Sequence, residues 1–114
     1  MPRRDRIILE KIRYELQIGM EMIQNVSKEQ FLQNEMLKRA VCMTTINVGE
    51  MVKNISDETR NAYPLVEWKA IAGMRDLAAH KYQTLRMEDV YYTVLNDFPI
   101  LQQQIEQILS DYSR

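Results

Sequence analysis

The segment Gly73-Met74-Arg75-Asp76-Leu77-Ala78-Ala79-His80-Lys81-Tyr82 carries the residue types best suited to chemistry. It holds the chain's one histidine, with an arginine five residues before it and a tyrosine two after. Histidine titrates near neutral pH without help, so it can take up and return a proton within one reaction cycle. Arginine stays charged throughout that range and presents a planar fork of donors to phosphate oxygens. Together the two suit phosphate chemistry. Arg75 would stabilise the extra charge of a pentavalent transition state, and His80 would act as general acid or base. On a ribose substrate His80 would take the 2′-OH proton or give one to the leaving 5′-oxygen, which leaves a 2′,3′-cyclic phosphate end. Asp76 could orient either partner, or simply accept a surface hydrogen bond.

The bland readings are common ones. A single histidine near a helix end is most often a surface or capping residue, and Tyr82 read alone is a packed aromatic with a hydrogen-bonded hydroxyl. Helix geometry adds a constraint. Five residues turn an α-helix through about 500°, so positions 75 and 80 diverge by about 140°, whereas 75 and 82 fall within about 20° of each other. Either the helix ends or distorts near His80, or two copies share the site. A twofold axis beside this segment would bring two arginines and two histidines to one cleft, which favours a homodimer.

The elements that must position these residues are helical. With 114 residues the chain is expected to form a single domain, residues 1–114, and its three glycines and three prolines are too few for a turn-rich β fold. The expected fold class is all-α, an antiparallel helical bundle of four to five helices. From Asp5 to Val26 the apolar positions Leu9, Ile12, Leu16, Gly19, Ile23 and Val26 step by three and four, as in an amphipathic helix. Ser27-Lys28-Glu29-Gln30 has the form of a capping box and marks a tight break.

A second long helix is expected from about Lys28 to Asn54, carrying Leu37, Val41, Thr44, Val48, Met51 and Ile55, and it should pack antiparallel on the first. Its stripe is nearly heptad-like, so a coiled-coil hairpin is the rival; Gly19, Thr44 and Asn47 on or beside the seams suit a globular bundle better. Ser56 to Pro64 reads as a polar loop with room for a single helical turn. A third helix starts near Val66, anchored by Trp68, Ile71 and Met74, and runs into the Arg-His-Tyr segment. Gln83 to Met87 interrupts the pattern, and a short helix follows over Glu88 to Asn96. Asp97 stands where an N-cap belongs, with Pro99 in the first turn of a last helix carrying Phe98, Leu101, Ile105, Ile108 and Tyr112.

Composition bounds the function classes. A net charge of −1 excludes a broadly basic nucleic-acid binder but leaves room for a local patch, for which Arg3, Arg4, Arg6, Lys11 and Arg13 are the candidates; a solvated helix face is the plainer reading. One cysteine, Cys42, and one histidine argue against a disulfide framework or a thiolate or zinc centre, so no metal site and no cofactor is expected. The methionines, including Met20, Met22, Met43 and Met51, read as core filler. With no signal-peptide pattern and no run of 18 apolar residues, the expectation is a cytoplasmic protein with no membrane partner.

The run Trp68-Lys69-Ala70-Ile71-Ala72-Gly73-Met74-Arg75-Asp76-Leu77-Ala78-Ala79-His80-Lys81-Tyr82 resembles the HepT-like toxins of the HEPN superfamily, whose hallmark is Arg-x4-His-x-Tyr after a Trp-x-x-Ile segment. The similarity continues through Val90, Asp97, Phe98 and Pro99 and spans nearly the whole chain. The resemblance implies a metal-independent endoribonuclease toxin acting on RNA as a homodimer, with Arg75 and His80 in a composite cleft and Asp76 at the polar position after the arginine. It implies a minimal nucleotidyltransferase antitoxin as partner, able to neutralise the toxin by transferring AMP to the motif tyrosine, here Tyr82. A bulky, negatively charged adenylate beside the cleft would repel an RNA phosphate. Arg86 stands where the family often has an acidic residue opening the next helix, and Ala79 and Lys81 replace the usual apolar and small flanks of the histidine. Lys81 could add a phosphate contact or face solvent. The alternatives are a non-catalytic HEPN module that binds nucleotide or RNA or serves as a protein scaffold, and a helical hairpin with no site, in which His80→Ala would be silent.

Overall fold

The computed structural model describes residues 1–80 and 86–113, the side chains of residues 75–80 excepted. The described residues form an all-α bundle, with no strand among them. In chain order the helices are α1 (Arg3–Met22), α2 (Lys28–Gln33), α3 (Glu35–Lys53), α4 (Asp57–Ala62), α5 (Trp68–His80), α6 (Met87–Tyr92) and α7 (Phe98–Tyr112).

Pairs of contacts give the directions. Asp5 meets Ser56, Glu15 meets Asn47, and a Cβ on Gly19 would lie 3.3 Å from Thr44, so α3 runs antiparallel to α1. Arg13 with Glu106, Gln17 with Gln102 and Gly19 against Phe98 place α7 antiparallel to α1 on its other side. The expected hairpin is therefore present, as one wall of a wider bundle. Its core takes Leu9, Ile12 and Leu16 from α1, Val41, Val48 and Val52 from α3, and Phe98, Ile105 and Ile108 from α7, all within 1% of full burial. Each fully buried side chain of this kind contributes about 1.5–3 kcal/mol through the water it sheds.

The capping box at Ser27 forms in both directions: the Gln30 N–H donates to Ser27 Oγ at 3.1 Å, and the Ser27 N–H to Gln30 Oε1 at 2.9 Å. The helix after it departs from expectation, because the chain breaks at Asn34 instead of running through to Asn54. Asn34 adopts an extended backbone (φ −107°, ψ 96°), and its side-chain oxygen accepts the Leu37 N–H at 3.0 Å. Asparagine competes with the helical ladder in this way and starts a new helix instead. The break turns α2 so that Phe31 is fully buried, its ring centroid 5.4 Å from that of Tyr91.

Asp97 is not the cap it was expected to be. Its backbone is helical, no side-chain cap bond forms, and the chain passes from α6 into α7 through a π-helical turn, Thr93–Asp97. Pro99 supplies the reason. A proline ring collides with the carbonyl four residues back and offers no N–H to it. The wider turn, in which the Phe98 N–H reaches the Thr93 carbonyl, accommodates that defect without ending the helix.

Candidate active site on α5

The helix bearing the Arg-His-Tyr segment is held at its start. Trp68 is buried, and its indole N–H donates to the Tyr63 carbonyl at 3.0 Å, while the Trp68 backbone N–H donates to Val66 O at 2.9 Å. The Tyr63 hydroxyl in turn donates to Asp111 Oδ2 at 2.8 Å, fastening this corner to the end of α7. From there α5 lies along α3, its most extensive neighbour, with Ala72 packed on the core.

The backbone of α5 is helical from Trp68 to His80, so positions 75 and 80 belong to one unbroken helix. Position 75 shares the register of buried Trp68, seven residues earlier; position 80 shares that of half-exposed Gly73. The two motif positions thus leave opposite sides of the helix cylinder, by the angle of about 140° expected of five helical residues. The side chains of Arg75, Asp76 and His80, and the whole of Tyr82 and Lys81, lie outside the described residues.

The surroundings are clearer. Between α5 and α7 runs a groove of about 480 Å³, lined by Ala70, Ile71, Met74, Asp97, Ile100 and Gln104 among others; Met74 sits immediately before Arg75. A larger opening of about 670 Å³, bounded by the end of α1, the π-helical turn and the start of α7, brings together mostly amides and apolar side chains, with Glu21 its one charged residue. It offers no acid–base pair. After the motif, Arg86 occupies the position before α6 and provides no side-chain cap; its guanidinium instead reaches Glu88 Oε1 at 3.3 Å. The departure noted at this position therefore has a local consequence, since α6 starts without the capping carboxylate an acidic residue could provide.

Two of the five basic residues at the start of the chain are ion-paired. Arg6 pairs with Glu10 at 3.4 Å and Arg13 with Glu106 at 3.5 Å, which leaves a solvated, mixed-charge helix face. No group of three or more metal-ligating side chains occurs among the described residues, and no helix there is long and apolar enough to cross a membrane. Cys42 is buried beside Met87, sulfur to sulfur 3.8 Å, and burial raises its thiol pKa, which makes it an inert core residue.

Sequence reading missed one polar cluster. Asp5 is 2% exposed, and it accepts the Ser56 N–H at 3.1 Å, the Ser56 hydroxyl, and the Thr59 hydroxyl at 2.6 Å. Its position in the first turn of α1 looks like an ordinary helix-dipole carboxylate, and only the fold reveals its partners. The cluster joins the first turn of α1 to the start of α4.

A profile of the HepT-like family, described as ribonuclease HepT-like, matches residues 8–108. The chain belongs to the HepT-like ribonuclease family. Among its relatives, a candidate RNase of Caldanaerobacter subterraneus subsp. tengcongensis is 36% identical over 101 residues, covering 89% of this chain and 90% of that protein. A candidate RNase of Methanocaldococcus jannaschii is 32% identical over 115 residues, covering 97% of each chain. A candidate ribonuclease HepT of Thermococcus cleftensis is 28% identical over 108 residues, covering 95% and 98%. No solved structure matches the chain.

Proposed function

We propose that this HepT-like protein is the toxin of a toxin–antitoxin pair, a metal-independent endoribonuclease working in the cytoplasm as a homodimer of single-domain chains. The observation that carries the reading is the joint presence of family membership over residues 8–108 and an intact Arg75, His80 and Tyr82 set on and just beyond α5. Arg75 binds the scissile phosphate and stabilises its transition-state charge. His80 takes the 2′-OH proton and gives one to the leaving 5′-oxygen, with Asp76 supporting His80 or Arg75.

The divergence of positions 75 and 80 along an unbroken helix favours a composite cleft, in which a second copy completes the site. A minimal nucleotidyltransferase antitoxin would neutralise the toxin by moving AMP onto the Tyr82 hydroxyl. Placed two residues from His80, the adenylate would add negative charge where RNA must enter.

The test is induced expression of wild type, His80→Ala and Arg75→Ala in cells without the antitoxin, with RNA ends mapped. Growth arrest by wild type alone, with 2′,3′-cyclic phosphate ends, is the expected result. Arrest by all three would replace the nuclease with a scaffold whose toxicity needs no such chemistry. Mass spectrometry of the co-expressed pair tests the tyrosine: a mass gain of one adenylate on wild type and none on Tyr82→Phe is expected.

A further inference from the structure

Gly73 stands in the interior of α5, where glycine weakens a helix relative to alanine. Its backbone is not the reason, since no glycine in the structure has positive φ. Packing is not the reason either: a Cβ built on Gly73 meets nothing within 4 Å among the described residues. Gly19 is the instructive contrast, because there the Cβ would lie 2.7 Å from the Phe98 ring, and the fold itself requires the gap. Gly73 is part-exposed, with no described neighbour over its Cα.

Lys69, Gly73, Asp76 and His80 follow one another on α5 at steps of four, three and four, a stripe within about 60° of arc. Lys69 is exposed, and no hydrogen bond or ion pair joins it to any described residue. The stripe contains no large apolar side chain. The apolar side of α5, with Ala70, Ile71 and Met74, faces the groove toward α7, about 140° away around the helix. A protein seam would use that apolar side, whereas a polyanion suits the part of the stripe made by exposed Lys69 and part-exposed Gly73; Asp76, its one acidic residue, is the group assigned above to supporting the catalytic pair.

We infer that Lys69 and Gly73 extend the cleavage site into a track for the RNA backbone. Gly73 lets the sugar–phosphate chain lie against α5. Lys69 holds a phosphate about 16 Å along the helix from position 80, a few nucleotides from the scissile bond. The inference rests on the ribonuclease reading above and names two binding residues for it.

The test uses the purified full chain and an unstructured oligoribonucleotide of mixed sequence, with cleavage and fluorescence anisotropy read in parallel. Gly73→Ala is expected to raise Tm by about 4 °C, the increment of an ordinary helix-propensity gain in a domain of this size. It is expected at the same time to raise KM several-fold, and Gly73→Gln to raise it tenfold or more. Lys69→Gln should raise KM and flatten the dependence of log(kcat/KM) on log salt by about 0.7, the share of one single-strand phosphate. Lys69→Arg should restore both.

A wild type that cleaves, with unchanged KM in all four variants, overturns the track and leaves the nuclease standing. RNA binding without cleavage, lost in Gly73→Gln, keeps the track and removes the nuclease. A wild type that neither binds nor cleaves removes both. A drop in Tm on Gly73→Ala, or a change of oligomeric state by light scattering on Gly73→Gln, would make the position a packing seam and overturn the inference.

Discussion

Asp5 and Ser56, fifty-one residues apart in the chain, are joined twice: the Ser56 N–H donates to one carboxylate oxygen at 3.1 Å and its hydroxyl to the other. Ser56 Oγ also accepts the Thr59 N–H at 3.4 Å as the cap of α4, so one serine starts a helix and fastens α1 to it. The Thr59 hydroxyl completes the carboxylate's shell at 2.6 Å. Burial works to raise the Asp5 pKa, and the hydrogen bonds from Ser56 and Thr59, with Arg4 nearby, outweigh it, so the carboxyl titrates below its usual 3.8.

A lowered folded pKa fixes the sign of the pH dependence. The stabilisation is present above the unfolded value, near 4, and is lost as pH falls through the lower folded value. Asp5→Ala is expected to cost about 2 kcal/mol at pH 7, the magnitude of charge-assisted hydrogen bonds removed from buried partners. Urea denaturation at pH 7 and pH 3 checks it: the gap between wild type and variant should narrow at the lower pH.

Gly19→Ala should destabilise, although alanine is the better helix former. The added methyl would meet Phe98 at 2.7 Å, where α1, α3 and α7 come together, and the aromatic ring is 1% exposed with little freedom to retreat. Overpacking of this kind costs about 1–3 kcal/mol, against the propensity gain of up to about 1 kcal/mol. Thermal melts of the variant beside Phe98→Leu/Gly19→Ala would show it. Recovery in the double variant is expected if the ring is the obstacle.

The periodic positions were legible because period reports burial directly: Leu9, Ile12, Leu16 and Gly19 in α1 and Phe98, Leu101, Ile105 and Ile108 in α7 are all buried. Ser27 was legible because a capping box is a local code. Asn34 was passed over because its cap interrupts an otherwise continuous apolar stripe, and a one-residue extended break leaves the period of the flanking residues almost intact. Asp97 misled for the opposite reason. Asp before Phe-Pro is a fair cap signal locally, yet the chain upstream is already helical, and a π-helical turn absorbs Pro99 instead. The motif on α5 was legible as residue types and register; the Asp5 cluster was not, since its partners lie more than fifty residues away.

Tyr63 offers an alkaline counterpart to Asp5. Burial first, then the hydrogen bond to and the charge of Asp111, push its hydroxyl pKa up from 10 to about 12. For a raised folded pKa, the stabilisation is complete below the unfolded value of 10 and is lost as pH rises through about 12. Ultraviolet titration of phenolate absorbance should show a late-ionising component in wild type that is lost in Tyr63→Phe. The variant should also show a shallower loss of stability between pH 10 and pH 12.

The catalytic assignment makes a sharper demand on Arg75 and His80 than loss of activity alone. General acid–base catalysis contributes about 10²–10⁴-fold, so His80→Ala should lower kcat by that range with KM little changed. Arg75→Lys should fail nearly as badly as Arg75→Ala, because a point charge does not reproduce a bidentate fork on a phosphate in its transition state. On the proposed mechanism a chelator should leave the wild-type rate unaltered, since the two side chains would carry the proton transfer and charge stabilisation themselves. Mixing inactive His80→Ala with inactive Arg75→Ala tests the composite cleft. If each active centre takes its arginine from one copy and its histidine from the other, heterodimers regain one intact centre in two, and with random exchange, which makes about half of the dimers heterodimers, about a quarter of the wild-type activity reappears on mixing. If both residues act within one copy, the mixture stays silent.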